Sequence, residues 1–217
     1  MHEGNAVIAA KDSEGNILWS WHIWVPLTDY SYGKYGISEV NMMSRNLGAL
    51  IDAGDGSVTS HGLHYQWGRK DPFVGQGAHG ASDFAKVAGV AKTTVTTPFS
   101  TEAELNAHPT EFVNYNSGTN WFATNDIRSF WGTTKTIYDP CPPGWKVPDK
   151  ETTTTSLFSG DDPSWTFDSR ADSHYLVTIG TAVFPLASYI YYNGNMTGRE
   201  QRLLLWSASS RINSSFS

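Results

Sequence analysis

Side chains alternate most strictly over residues 17 to 25, Ile-Leu-Trp-Ser-Trp-His-Ile-Trp-Val. With a period of two, Trp19, Trp21, Ile23 and Val25 share one face, and Leu18, Ser20, His22 and Trp24 share the other. Residues 5 to 12 predict a shorter apolar strand, and Ser13-Glu14-Gly15-Asn16 predicts a turn, so the two strands form a hairpin. Both faces of the second strand are largely apolar, which predicts a central place in a sheet. Residues 41 to 50 read as a buried strand, or a short strand with a turn. Residues 52 to 62 read as a Gly/Ser/Asp-rich loop. Residues 62 to 73 are aromatic and break at Asp71-Pro72, and 74 to 100 read as loop with little regular structure.

One helix start stands out. Ser100 or Thr101 can cap, and Glu102 and Glu104 fall in the first turn, where the helix dipole favours acids; Pro109 ends or offsets the helix. Residues 114 to 125 predict a loop carrying Trp121 and Phe122. A short helix is expected from about Asp149, and the acidic stretch 156 to 172 reads as loop. Residues 174 to 184 are strand-like with a break at Gly180, 188 to 195 are polar and Tyr-rich, and 203 to 209 predict a final strand. One helix among many short strands and long loops is an α+β pattern without internal repeats.

Composition narrows the class. A chain of 217 residues suits one domain spanning 1–217. Aromatic residues at 13% and charged residues at 17% exclude a disordered chain. A net charge of −6 with no run of three basic residues argues against nucleic acid as a partner. No apolar run is long enough to span a bilayer, so no membrane insertion is expected in this segment. The first residues carry no secretion signal. Abundant Trp, Tyr, Thr, Ser, Asn and Gly with few charges is common in extracellular β-rich proteins.

The stretch from Lys135 to Pro148 holds the only cysteine. Pro140, Pro142 and Pro143 set φ around Cys141 and remove backbone donors, so no helix or central strand runs through it. Gly144 supplies a turn, and Trp145 and Val147 are apolar anchors either side of Lys146. Cys141 has two readings: a buried thiol acting as a small hydrophobe, or a thiol whose partner is missing from this chain. His61 and His64 stand three apart in a loop without a third ligand, so no metal site is expected. Asp161 and Asp162 read as a solvated turn, His22 as a satisfied core or edge histidine, and Trp121 and Trp131 as loop-packing core. No nucleophile, metalloprotease or phosphate-loop motif occurs, so no catalytic residue is expected.

Five blocks together resemble one family: residues 4 to 12 with 17 to 25, Met43-Ser-Arg-Asn-Leu-Gly-Ala49, Gly62-Leu-His-Tyr-Gln-Trp-Gly-Arg-Lys-Asp-Pro-Phe73, Thr136-Ile-Tyr-Asp-Pro-Cys-Pro-Pro-Gly-Trp-Lys-Val-Pro148, and Trp206-Ser-Ala-Ser209. Taken in order, they resemble the Fibrobacter-type major paralogous domain across nearly the whole chain. The resemblance implies a C-type-lectin-like fold related to formylglycine-generating enzymes: a small, twisted, mostly antiparallel sheet with few helices and long loops. Such domains sit on surface or fimbrial adhesins of anaerobic gut bacteria, which implies a cell-surface or extracellular location. The family pattern runs on to one more strand carrying Arg-Cys. The resemblance therefore implies that Cys141 pairs with a cysteine beyond Ser217, and that the chain is truncated at its C-terminus.

Lectin-like domains are also targets of diversity-generating retroelements, which vary exposed codons between fixed anchors. The resemblance makes 186–217 the ligand-binding segment, with Phe184, Pro185, Gly194 and Trp206 as anchors. Tyr189, Tyr191, Tyr192, Asn193, Asn195, Arg199, Arg202, Arg211 and Asn213 would be the recognition surface, and Cys141, Trp145 and Trp206 the structural residues. Tyr, Asn and Arg suit a paratope. No cofactor is expected. The sugar-lectin Ca2+ motifs are absent, and a structural Ca2+ stays open because hard cations use scattered oxygens. The expected function is non-enzymatic binding of a protein or glycan on another cell surface. The alternatives are a glycan-binding lectin, a phage receptor-binding domain, a divergent formylglycine-generating-type enzyme and a pilin module without a ligand.

Overall fold

The computed structural model describes residues 3–29, 31–35, 40–53, 57–73, 93–114, 121–123, 130–148, 165–169, 175–198 and 202–208. The chain is sheet-rich, built from small and mostly antiparallel strand groups with few helices. The expected helix at Asp149, the Asp161-Asp162 turn, Arg199, Arg211 and Asn213 lie outside the described residues, as does all of 74–92.

The opening hairpin forms as predicted. Strand β1 (Gly4–Lys11) pairs antiparallel with β2 (Ile17–Val25), Ile8 opposite Trp21 and Ala6 opposite Ile23, with a bulge between Ala10 and Lys11. Asp12 shapes the turn: its carboxylate accepts from the Glu14 and Asn16 N–H groups and from the Asn16 side chain, each at 2.9 Å. The expectation of a central β2 is overturned, because among the described residues it pairs only with β1. Leu18, Trp21 and Ile23 are exposed. Among the described residues the Ser20/His22/Trp24 side meets polar groups of loops and of β1. Ser20 donates to Asp71 at 2.6 Å, His22 meets Asn5 at 2.8 Å, and the Trp24 indole donates to the Ala49 carbonyl at 2.9 Å.

Strands β3 (Tyr32–Tyr35) and β4 (Val40–Met43) make a second hairpin. It presses on a later one: a Cβ at Gly33 would stand 2.6 Å from the Ala182 Cα and the Thr181 oxygen. Within the expected 52–62 loop the chain instead makes a short helix, α1 (Val58–His61). The expected loop before the main helix likewise contains β5 (Thr93–Val95), which pairs in parallel with β6 (Glu111–Val113). The helix between them, α2 (Glu102–Ala107), begins as predicted: Thr101 Oγ1 accepts from the Glu104 N–H at 3.1 Å, and Glu104 accepts from the Ser100 N–H at 2.8 Å.

Three strands follow as an antiparallel meander: β7 (Trp165–Ser169), β8 (Tyr175–Ile179) and β9 (Ala182–Pro185). The expected break at Gly180 is the β8–β9 turn, with φ 67°. β7 corrects the loop reading of 156 to 172, since Trp165 and Phe167 register against Ile179 and Val177. Strands β10 (Tyr189–Ile190) and β11 (Met196–Thr197) close the Tyr-rich hairpin. Residues 203–207 form no strand, contrary to expectation. They are held by side chains instead: the Trp67 indole donates to the Ser207 carbonyl at 2.7 Å and the Trp206 indole to the Tyr65 carbonyl at 2.9 Å.

The larger core gathers Trp67, Phe99, Leu105, Val113, Phe122, Phe130, Trp131, Tyr138 and Val147. The Trp67 and Trp131 rings are 5.8 Å apart, and Phe130 stacks on Tyr138 at 4.4 Å. Trp121 packs against this core and donates to the Trp67 carbonyl at 3.0 Å, so its ring is packing as expected. A second core gathers Val177, Ile179, Ala182, Phe184 and Leu186, with Met42, Leu203 and Leu205 against it.

Candidate functional site

Those residues expected to form a recognition surface that fall within 186–198 gather on the β10–β11 hairpin. Tyr191 donates to the Asn195 carbonyl and Gly194 to the Tyr191 carbonyl, both at 2.8 Å, and Gly194 has φ 81°. Only a residue at ease in the left-handed region suits that turn. Tyr191 and Tyr192 are 42% and 46% exposed, with ring centres 4.1 Å apart, and Tyr189 meets Tyr191 at 6.2 Å. The neighbouring Tyr192 hydroxyl raises the Tyr191 pKa above the usual phenol range. Asn195 is exposed, whereas Asn193 also shapes the turn by accepting from the Asn195 N–H at 2.9 Å.

Arg202 joins this group. Its N–H donates to the Gly198 carbonyl, and its own carbonyl accepts from Ser188, both at 3.2 Å. A Cβ on Gly198 would stand 2.8 Å from Arg202 Cγ and 3.2 Å from a Tyr189 ring carbon, so that glycine is where Arg202 and Tyr189 meet. Phe184, Pro185 and Gly194 are buried, as anchors should be. Trp206, the fourth expected anchor, is instead 46% exposed, with its indole N–H donating to the Tyr65 carbonyl.

The proline corner is organised by Asp139, which the sequence reading passed over. Its carboxylate accepts from the Cys141 and Val147 N–H groups at 2.9 Å and from Lys135 at 3.0 Å. Lys135 also donates to the Cys141 carbonyl at 2.7 Å, and Trp145 closes a turn onto Pro142 at 3.1 Å. Cys141 is a free, half-buried thiol. Burial, and then the Asp139 charge, push its pKa up, so it stays protonated at neutral pH.

A cavity of about 590 Å³ opens beside this corner. Cys141, Trp145, Met42, Leu63, Leu204 and Trp206 line it, and His61 and His64 also face it. His64 Nε2 is buried without a hydrogen-bond partner. Burial, then the charge of His61, lowers the His64 pKa to about 4, so the ring is neutral at pH 7. Among the described residues no group of three or more His, Cys, Asp or Glu could hold a metal.

Three buried charged clusters also escaped the sequence reading. Arg45 donates to Asp52, to the Thr28 and Asp29 carbonyls and to the Thr28 hydroxyl. Lys70 pairs with Asp71 at 2.7 Å under the Trp19 ring, 4.4 Å from its centre. Arg69, fully buried, donates to the Glu111, His108 and Pro109 carbonyls and to Gln66, with its guanidinium 4.9 Å from the Phe73 ring centre. The signal was present as Arg69-Lys70-Asp71 between Trp67 and Phe73, charges set in an apolar frame. No protein-family model, no curated protein and no solved structure matches the chain.

Proposed function

We propose that this chain is a non-enzymatic, C-type-lectin-like binding domain of a bacterial surface or fimbrial protein, with the Tyr-rich hairpin as its recognition surface. The observation that carries this reading is the contiguous cluster of exposed Tyr191 and Tyr192 with half-buried Tyr189, and exposed Asn195 and Arg202 on the same stretch of chain. Tyrosines cover contact area at low entropic cost, and a short hairpin presents them preorganised. The resemblance of five sequence blocks to the Fibrobacter-type major paralogous domain supports the reading of fold and surface location. The raised thiol pKa of Cys141 favours binding over cysteine chemistry.

Tyr191→Ala, Tyr192→Ala and Arg202→Ala test the reading. The domain is displayed on beads and scored against glycan arrays and intact cells, with and without chelator. The variants keep the wild-type urea midpoint and lose adhesion. Unchanged adhesion removes the hairpin as the recognition surface, and loss on chelation moves the reading to a Ca2+-assisted lectin.

A further inference from the structure

The turn of the β10–β11 hairpin pairs Asn193 with Gly194, the only Asn-Gly step in the chain. An asparagine amide carbon lies within reach of the backbone nitrogen of the next residue, and attack by that nitrogen closes a cyclic imide. The attack is intramolecular, so it carries the rate advantage of proximity, and it makes asparagine a thermolabile residue. A side chain on the following residue crowds the approach, and glycine has none.

The local geometry favours the reaction at one point and restrains it at another. Asn193 is exposed, so water reaches it. Its Oδ1 accepts from the Asn195 N–H at 2.9 Å. That donor points at the atom on which negative charge develops when Cγ is attacked. The bond lies within residues 193–195 and does not need the strands to be paired. The restraint falls on the nucleophile: the Gly194 N–H donates to the Tyr191 carbonyl at 2.8 Å and must leave it before losing its proton. β10 and β11 are 2 residues each, and a ribbon this short opens readily. The first hairpin supplies a comparison. Asn16 is likewise exposed in its turn, but the β-branched Ile17 follows it and blocks the approach.

We propose that Asn193 is a self-modification site, which water alone converts to an aspartyl or isoaspartyl residue, adding a negative charge to the Tyr-rich hairpin with time. Hydroxide takes the Gly194 amide proton, and the nitrogen forms a bond to Asn193 Cγ. The Cγ–Nδ2 bond breaks, and Nδ2 leaves as ammonia with a proton from water. A second water then opens the imide, and no electrons are gained or lost. Addition at Cγ restores the ordinary backbone and leaves a carboxylate. Addition at the Asn193 backbone carbon leaves the chain running through Cγ, one atom longer. The aspartyl form keeps the turn, since its carboxylate accepts from the Asn195 N–H with charge assistance. The isoaspartyl form disturbs the register of Tyr189 with Thr197. The reaction does not require the hairpin to bind anything; its effect on adhesion rests on the hairpin being the recognition surface.

The test holds the full chain in mildly alkaline buffer for days and maps its peptides by tandem mass spectrometry. The peptide with Asn193 gains about 1 Da at that residue, ammonia appears in step, and the product is methylated by protein isoaspartyl methyltransferase. The gain is faster at higher pH and about tenfold faster in urea, which opens the hairpin. The peptide with Asn16 keeps its mass. Asn193→Ser, whose hydroxyl can still accept from the Asn195 N–H, keeps the circular dichroism and gains no mass. Three results overturn the proposal. The folded chain gains no mass while the urea-unfolded chain does, which makes the turn a lock. Asn16 or another asparagine reacts as fast as Asn193, which leaves glycine no role. The Asn193→Ser chain gains the same mass in the same peptide. Adhesion is scored separately: unchanged adhesion beside a full mass gain counts against the hairpin as recognition surface and leaves the modification demonstrated.

Discussion

Asp139→Asn tests the proline corner with little change of shape. The carboxylate uses both oxygens: Oδ1 accepts from the Cys141 N–H and from Lys135, and Oδ2 accepts from the Val147 N–H at 2.9 Å. Its side chain is 2% exposed, so water does not replace a lost bond. An amide keeps one acceptor and turns an NH2 group towards the other donor. With Oδ1 retained, the Val147 N–H is orphaned, at about 1–3 kcal/mol, and the two remaining bonds lose charge assistance, at about 0.5–1 kcal/mol each. The sum is about 2–5 kcal/mol, read as a lower urea midpoint with an unchanged slope. Lys135 is 34% exposed, so Lys135→Met removes a solvent-screened partner and costs about 1 kcal/mol or less. Equal losses for the two variants, or a loss below about 0.5 kcal/mol for Asp139→Asn, would refute the account of the carboxylate as backbone organiser.

Acid destabilises the fold through two histidines. Burial holds His22 near pKa 4 despite the opposing charge of Asp71, and burial with His61 holds His64 near 4. Both folded values lie below the unfolded 6.5, so stability is complete above about pH 6.5 and falls as pH drops towards 4; urea titrations across that window show the loss, and His22→Gln flattens its slope. Thr101→Ala removes the α2 cap and costs about 1 kcal/mol in the same assay. Arg69→Lys leaves backbone carbonyls without donors and costs about 3 kcal/mol or more, whereas an exposed Arg-to-Lys change costs almost nothing. Gly33→Ala drives a methyl group into the Thr181–Ala182 backbone and lowers the thermal midpoint, and a wild-type midpoint would show that the hairpins do not press together there.

Local chemistry made several elements legible. Period-two alternation and the Gly15-Asn16 turn predict the first hairpin, because both signals act between residues a few positions apart. Thr101 with two acids in the following turn predicts α2, and Gly180 between apolar runs predicts the β8–β9 turn, for the same reason. The Tyr-rich stretch was legible as a polar, aromatic display, and its turn closes through Gly194.

What escaped was whatever depends on partners far along the chain. The outer face of β2 looks as apolar as a central strand, yet among the described residues only β1 pairs with it. The segment 165 to 169 is short and sits in an acidic neighbourhood, so its strand character comes from pairing with β8. Residues 203–207 have the composition of a strand, yet they are held by the indoles of Trp67 and Trp206, 140 and 141 positions from their partners.

By itself, the sequence determined an aromatic, weakly charged, mostly β chain with one capped helix, a rigid proline corner and a tyrosine-rich display near its end. Tertiary structure alone decided which charges are buried, that Asp139 ties the corner together, and that the corner, the 203–206 segment and His64 surround one cavity. The physical reason is range. Turns, caps and alternation arise from neighbouring dihedral angles and are written in adjacent letters. A buried guanidinium is defined by the carbonyls and side chains that folding brings to it.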